Sequence, residues 1–213
     1  MFDWDAHYKE GGQSGENIFY ERTRVWKHGI VFRYFNPAKE SIVDLGCGDL
    51  RVWGGVLPQD YTGIDISREI IRKNQQAHPD ANFIVSDITK PLQLKADVVT
   101  SFAVLVHIMC DEDYTSILKN IKSYATKCII IETWNQNPFA SSLSRKLLIS
   151  AVRFKKTGVL SLKTITSDGE YQCYRDFVQC ALPIFSPEFK LENVAIHPDY
   201  PLLSLYIWKR CIT

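Results

Sequence analysis

Two hydrophobic rhythms alternate along this chain. Short runs of continuous or β-branched apolar residues recur at 41–45 (SIVDL), 61–65 (YTGID), 83–86 (FIVS), 97–101 (DVVTS) and 128–131 (CIII), each about the length of a strand. Between them, apolar residues return every three or four positions, as on one face of a helix. The clearest case is 111–124, where Tyr114, Ile117, Leu118, Ile121 and Tyr124 share a face and Asp111 stands as its cap. Ser67 caps another helix, with Glu69 in its positive first turn, and a third spans 17–34 on Phe19, Val25, Trp26, Ile30, Val31 and Tyr34. Asp49 is placed to cap a short helix over 49–57, ended by Pro58. Strands alternating with helices predict a doubly wound α/β fold with a parallel sheet, whose ligands lie past the carboxyl ends of the strands. The run 97–101 is apolar enough for a strand covered on both faces. Late in the chain YQCYRDF leads into a short helical stretch, and the runs 189–196 and 203–209 follow, separated by the turn-rich HPDYP. That link predicts an antiparallel pair.

The first strand enters the turn Gly46-Cys47-Gly48, where the two glycines let backbone approach a ligand closely. Charge then narrows the ligand. A diphosphate at a glycine-rich turn and helix N-terminus is opposed by carboxylates, and here Asp44 and Asp49 flank the turn while the next two strands end in Asp65 and Asp87. The third glycine of a G-x-G-x-x-G fingerprint is also missing, because Arg51 occupies its place. Such a site suits a cationic ligand.

The set DLGCG, then GID, then SD resembles the Rossmann-like, class I S-adenosylmethionine-dependent methyltransferases. The resemblance implies a mostly parallel seven-stranded sheet with an antiparallel last strand and helices on both faces. It implies S-adenosylmethionine as cofactor and S-adenosylhomocysteine as product. Asp65 would then accept from both ribose hydroxyls, Asp87 with Ile88 would sit against the adenine, and Asp44, Gly46 and Gly48 would face the methionine part. Cys47 and Ile66 complete that contact set, and Ser101 and Phe102 lie near the transferred methyl group. The opening W-x-x-x-Y-x-x-G-G-x-S-G is similar to that of some small bacterial and phage methyltransferases, whose segment folds over the cofactor. On that likeness Trp4, Tyr8 and Tyr20 line the cofactor mouth; the alternative is that they pack a helix onto the sheet.

Length and charge limit the remainder. A chain of 213 residues suits one domain, 1–213, with 1–40 as an N-terminal loop and helix cap and 135–174 as an insertion between the fifth and sixth strands. With 25 Lys+Arg against 24 Asp+Glu, the net charge of +1 offers no strong nucleic-acid signal. No apolar run approaches about 20 residues and the start lacks signal-peptide order, which predicts a cytoplasmic protein without a transmembrane segment. The six cysteines show no C-x-x-C pair and no zinc spacing, so thiols rather than a metal site are expected. Between 135 and 167 there is no acidic residue, and Arg145, Lys146, Arg153 and Lys156 fall opposite Leu143, Leu147, Leu148, Ala151 and Phe154 on a helical wheel. If that basic side faces the pocket mouth, the acceptor carries phosphate or carboxylate.

Methyl transfer needs an acceptor held in line near the methyl group, and a base only for some acceptors. His107 has the pKa range of a general base, although a backbone hydrogen-bonding role at a helix start is the alternative. Tyr174 is the second catalytic candidate, in a cluster with Tyr171, Arg175 and Asp176 that either binds the acceptor or packs around an exposed ion pair. The expected activity is methyl transfer to a small or medium-sized acceptor. The alternatives are an RNA or protein methyltransferase, or a non-catalytic S-adenosylmethionine-binding partner subunit.

Overall fold

The structure, a computed structural model, describes residues 2–14, 20–138, 167 and 172–211. The Tyr20 side chain, Tyr171 and the basic 143–156 segment lie outside the described residues, as does most of the 135–174 insertion. The strands are β1 (Ser41–Leu45), β2 (Asp60–Asp65), β3 (Asn82–Val85), β4 (Ala96–Phe102), β5 (Ala125–Trp134), β6 (Phe189–Ile196) and β7 (Leu203–Arg210). They form one seven-stranded sheet in the order β3-β2-β1-β4-β5-β7-β6. The first five run parallel, and β7 lies antiparallel between β5 and β6. The fold is therefore the Rossmann-like one expected, with the HPDYP link making the β6–β7 hairpin.

Alternation along the central strands explains why they read as continuous apolar runs. On β5, Ile129 and Ile131 enter the core on one face, while Cys128 and Ile130 enter the core on the other. On β7, Tyr206 and Trp208 divide from Leu205 and Ile207 in the same way. Both faces are covered, so no polar stripe is possible. The first face carries α4 (Asp111–Tyr124) and α5 (Phe177–Phe185), with Tyr114, Ile117, Leu118, Ile121 and Tyr124 all buried as their spacing demands. The second face carries α2 (Tyr20–Val31) and α3 (Arg68–Ala77), whose cap is Ser67, accepting from Ile70 N at 3.3 Å.

Three elements depart from the sequence reading. Residues 49–57 form only a 3₁₀ turn, Arg51–Trp53, bounded by Leu50 at φ 60° and Gly54 at φ 64°. Left-handed residues at both ends, followed by Gly55 at φ 82°, stop a helix from propagating. Asp111 does not cap α4: the cap is Cys110, without a side-chain hydrogen bond, and Asp111 sits in the first turn beside Glu112 and Asp113. There the helix dipole favours all three acids. Finally, Trp4–Lys9 forms a short helix, α1, capped by Asp3, which accepts from Ala6 N at 2.9 Å.

Candidate functional site

The carboxyl ends of β1, β2 and β4 meet at the glycine turn. Gly46 and Gly48 take φ 72° and 52°, a conformation that L side chains rarely adopt. The amides of Gly46 and Cys47 both donate to Ile64 O, at 2.7 and 3.0 Å, which ties the turn to the end of β2. One residue on, Gly48 N donates to Asp65 Oδ2 at 3.0 Å, and Ser67 N donates to Asp65 Oδ1 at 2.9 Å. Asp65 thus joins the turn after β1 to the start of α3. Burial raises its pKa above the ordinary carboxylate value, although the Ser67 and Gly48 amides work against that shift. Asn74, buried on α3, closes the turn from the far side by donating to Gly48 O at 2.7 Å.

The N-terminal segment lies directly on this turn. A Cβ at Gly48 would stand 2.2 Å from Ser14 Oγ and 3.0 Å from the Tyr8 hydroxyl. Those two oxygens share a 2.9 Å hydrogen bond. Ser14 N donates to Asp49 Oδ2 at 3.0 Å, and Asp49 N donates to Ser14 Oγ at 3.3 Å. Asp49 therefore anchors the cap segment rather than a helix. Asp5 accepts from Ser67 Oγ at 2.6 Å and from Glu69 N at 3.1 Å, while Lys73 Nζ donates to Tyr8 O at 2.7 Å. The Trp4 ring lies edge-on to His107, with centres 5.2 Å apart.

The proposed contact residues separate into two groups. Asp65 lies against the glycine backbone, Ile66 is 42 % exposed, and Asp87, Ile88 and Phe102 are half-buried at or just past the ends of β3 and β4. Asp87 Oδ1 also accepts from Thr89 N at 2.9 Å, and Ile88 O accepts from Asn120 Nδ2 at 2.9 Å, so both are held in place. Asp44, Cys47 and Ser101 instead turn inward. The Asp44 carboxylate accepts from Trp53 Nε1 and the Tyr61 hydroxyl, both at 2.9 Å, and from Thr100 Oγ1 at 2.8 Å. It is not presented to the methionine part of a ligand, because three protein donors already hold it. Ser101 Oγ donates to Leu45 O at 3.0 Å in a fully buried position. The Cys47 thiol is buried beside Asn74, and burial pushes its pKa up.

Past the end of β4 lies the 3₁₀ turn Leu105–His107. Cys173 N donates to Val106 O at 2.7 Å, and Tyr174 packs with Val106 and Trp134. Burial raises the Tyr174 hydroxyl pKa, which keeps it a hydrogen-bond donor rather than a base. Arg175 is structural: its guanidinium lies 4.6 Å from the Tyr114 ring centre, pairs with Asp111 Oδ1 at 2.7 Å and donates to Ile108 O at 2.6 Å. Asp176 caps α5 by accepting from Gln179 N at 3.0 Å.

A second polar group lies under α2. Glu132, at the carboxyl end of β5 and fully buried, pairs with Lys27 Nζ at 2.6 Å. Its Oε1 has no hydrogen-bond partner among the described residues. A buried acceptor left open costs about 1–3 kcal/mol. The signal was readable in CIIIETW, where an acid interrupts a continuous apolar strand. Asn74, on the same face as Ile70 and Ile71, was readable in the same way.

Residues 43–127 match a family model described as a methyltransferase domain. No curated protein matches the chain. Among solved structures, magnesium protoporphyrin IX methyltransferase from Synechocystis PCC 6803, with S-adenosylhomocysteine bound, is 17% identical with a TM-score of 0.63, covering 98% of this chain and 94% of that one. An S-adenosylmethionine-dependent methyltransferase from Methanosarcina mazei is 17% identical with a TM-score of 0.61, covering 86% and 98%. A chain from Rhodobacter sphaeroides described as a putative zinc-dependent alcohol dehydrogenase is 14% identical with a TM-score of 0.64, covering 87% and 89%. At such identities the likeness is one of fold. The antiparallel β7 between β5 and β6 gives the chain the Rossmann-like sheet that class I S-adenosylmethionine-dependent methyltransferases share, and residues 43–127 carry the methyltransferase-domain match.

Proposed function

We propose that this protein transfers a methyl group from S-adenosylmethionine to a small or medium-sized acceptor, with Asp65 as the main cofactor-recognising side chain. The observation that carries this reading is the Asp65 carboxylate, buried at the end of β2 and holding Gly48 N. Each of its oxygens accepts one backbone N–H and keeps a further lone pair for a ribose hydroxyl. The donor set also fits: carboxylates and backbone acceptors around a turn of positive-φ glycines suit a ligand with a diol, an ammonium and a sulfonium. A diphosphate would meet Asp65 and Asp49 beside the same turn and be repelled.

When bound, S-adenosylmethionine supplies an activated methyl group: the acceptor's lone pair forms the new bond to carbon as the carbon–sulfur bond breaks, its electron pair goes to sulfur, and an acceptor proton goes to base or water. Asp87 and Ile88 border the adenine position, and Tyr8 and Ser14 cover the turn and exclude water from it. Phe102 and His107 stand at the end of β4, where the acceptor is held. His107 is placed to receive the proton of a hydroxyl acceptor, with Trp4 fixing its ring. An anionic acceptor would call on the basic residues of 143–156.

Calorimetry with S-adenosylmethionine tests the reading. The wild type should bind, and Asp65→Ala should weaken binding at least about tenfold, since two charge-assisted hydrogen bonds are worth on the order of 2–4 kcal/mol. NAD should bind negligibly. Unchanged affinity in the variant removes Asp65 from the site, and no binding by the wild type ends the methyltransferase reading.

A further inference from the structure

Two acids are buried on the face of the sheet beneath α2. Asp44 and Glu132 are both buried there, at 1% and 0% exposure. Lys27 is the cation between them: it pairs with Glu132 Oε2 at 2.6 Å, lies 5.5 Å from the centre of the Phe102 ring, and favours the charged form of Asp44. His197, nearby, is neutral. Its Nδ1 accepts from Asp199 N at 3.0 Å and from Tyr200 N at 2.9 Å, so the ring proton is on Nε2, donated to Thr23 Oγ1 at 2.9 Å. Among the described residues, Glu132 is thus paired with Lys27 alone.

The two acids are not equivalent. Asp44 takes three hydrogen bonds from Trp53, Tyr61 and Thr100, and its role is internal. Glu132 takes only the lysine, and its Oε1 is without a hydrogen-bond partner among the described residues. A pair kept only as a strut would be expected to meet that lone pair with a donor, because a buried unfilled acceptor is costly. Position supplies the second argument. Glu132 is paired in register with Phe102, and its carbonyl accepts from the amide of Ala103, a residue held at φ 57°. Both lie at the carboxyl ends of β4 and β5, the edge where a doubly wound sheet binds its ligands. Phe102 is half-buried and Lys27 is a long unbranched chain, so rotamer changes are the opening required.

We propose that Glu132, positioned by Lys27, anchors the methyl acceptor by accepting a hydrogen bond at Oε1 from a protonated amine that the acceptor carries. A carboxylate oxygen that meets no donor among the described residues favours an ammonium, through a charge-assisted hydrogen bond, over a neutral donor, and Phe102 supplies an apolar and cation-tolerant wall beside it. Glu132 binds and orients; it takes no proton in the transfer. This inference rests on the methyltransferase reading, because it is the cofactor that makes the neighbouring edge an acceptor site.

The test uses the whole protein saturated with S-adenosylhomocysteine, and benzylamine and butylamine as probes against benzyl alcohol and 1-butanol, at neutral pH by calorimetry. The wild type should bind each amine at least tenfold more tightly than its matched alcohol. Glu132→Gln should abolish that preference while leaving S-adenosylmethionine affinity within twofold. Should Glu132→Gln fail to fold, the double variant Lys27→Met with Glu132→Leu replaces the pair by apolar residues of similar size, a change that buried ion pairs tolerate. It too should bind amines no better than alcohols. Equal binding of amines and alcohols by the wild type, no binding of either, or a preference that survives in the folded variants would overturn the proposal and make the pair a strut. Failure of the wild type to bind S-adenosylmethionine would instead point at the earlier reading.

Discussion

Single residues in this protein divide by which way they turn at the ends of the strands. Asp44 and Asp65 both end apolar runs and look alike in sequence, yet one is enclosed by side-chain donors and the other by backbone amides beside the cleft. Asp44→Asn would exchange an acceptor for an amide group facing donors, leaving at least one of Trp53, Tyr61 and Thr100 unpaired. That should cost about 1–3 kcal/mol. In a chain of this size the melting temperature should fall by roughly 2–4 °C for each kcal/mol, read by thermal unfolding. Burial raises the folded-state pKa of Asp44. The sign follows: the stability tied to its protonated form is complete below the unfolded value, near about 3.9, and is lost as pH rises through the raised folded value. Asp44→Asn should therefore flatten the stability profile over the weakly acidic range just above that value. None of this could be read from VDLGCG, because the direction of a carboxylate depends on Trp53, Tyr61 and Thr100, which converge from three other segments.

At the scale of elements, α1 is the part that local pattern did not reveal. Its six residues, Trp4–Lys9, are too few for periodicity, and contacts with α3 and with segments distant in sequence hold it in place. Asp5 is the hinge of that docking, because its carboxylate serves both the Ser67 hydroxyl and the Glu69 amide. These bonds hold its pKa below the usual value, the Ser67 bond foremost. A lowered acid stabilises above its unfolded pKa and ceases to do so as pH falls through the folded value. Asp5→Ala should speed hydrogen exchange at α1 and at the first turn of α3 at neutral pH, with little change in global melting. The wild type should show the same local loosening only on acidification below about pH 3.9. Equal exchange rates in the two proteins at neutral pH would assign the docking to Tyr8, Ser14 and Lys73 instead. The missing helix after β1 belongs to this scale as well: Asp49 and Pro58 bracket a plausible helix, but Leu50, Gly54 and Gly55 all take positive φ. α2 then packs over the 3₁₀ turn, with the His28 imidazole against Val52 O at 2.6 Å.

Across the whole molecule, β7 makes the sheet complete. It pairs with β5 on one side and β6 on the other, so the last strand in sequence lies inside the sheet, one place from its edge. Trp208 on β7 is fully buried and meets Phe185 of α5 edge-on at 5.2 Å. Trp208→Ala should cost about 3–5 kcal/mol through the cavity it leaves. Against a total of about 5–15 kcal/mol, that is a large share of the fold's stability. Urea unfolding should show a lower midpoint with an unchanged slope, and a midpoint near that of the wild type would mean the site repacks. No helix among the described residues is long and apolar enough to cross a membrane.

The alternation of short apolar runs with helical ones was sufficient to determine the α/β class, the strand segments, the face of α4 and the closing hairpin, since each depends on a local period. DLGCG, GID and SD marked the turn and the two strand ends, because glycine and aspartate act through backbone geometry and charge that are local too. Only the tertiary structure decided which carboxylates are held by side chains and which by the glycine turn, what covers Gly48 and what surrounds Glu132. Those outcomes join Asp5 to Ser67, Ser14 to Asp49 and Lys27 to Glu132, partners dozens of residues apart. A contact of that kind has no period along the chain; it exists once the sheet has brought its strand ends together.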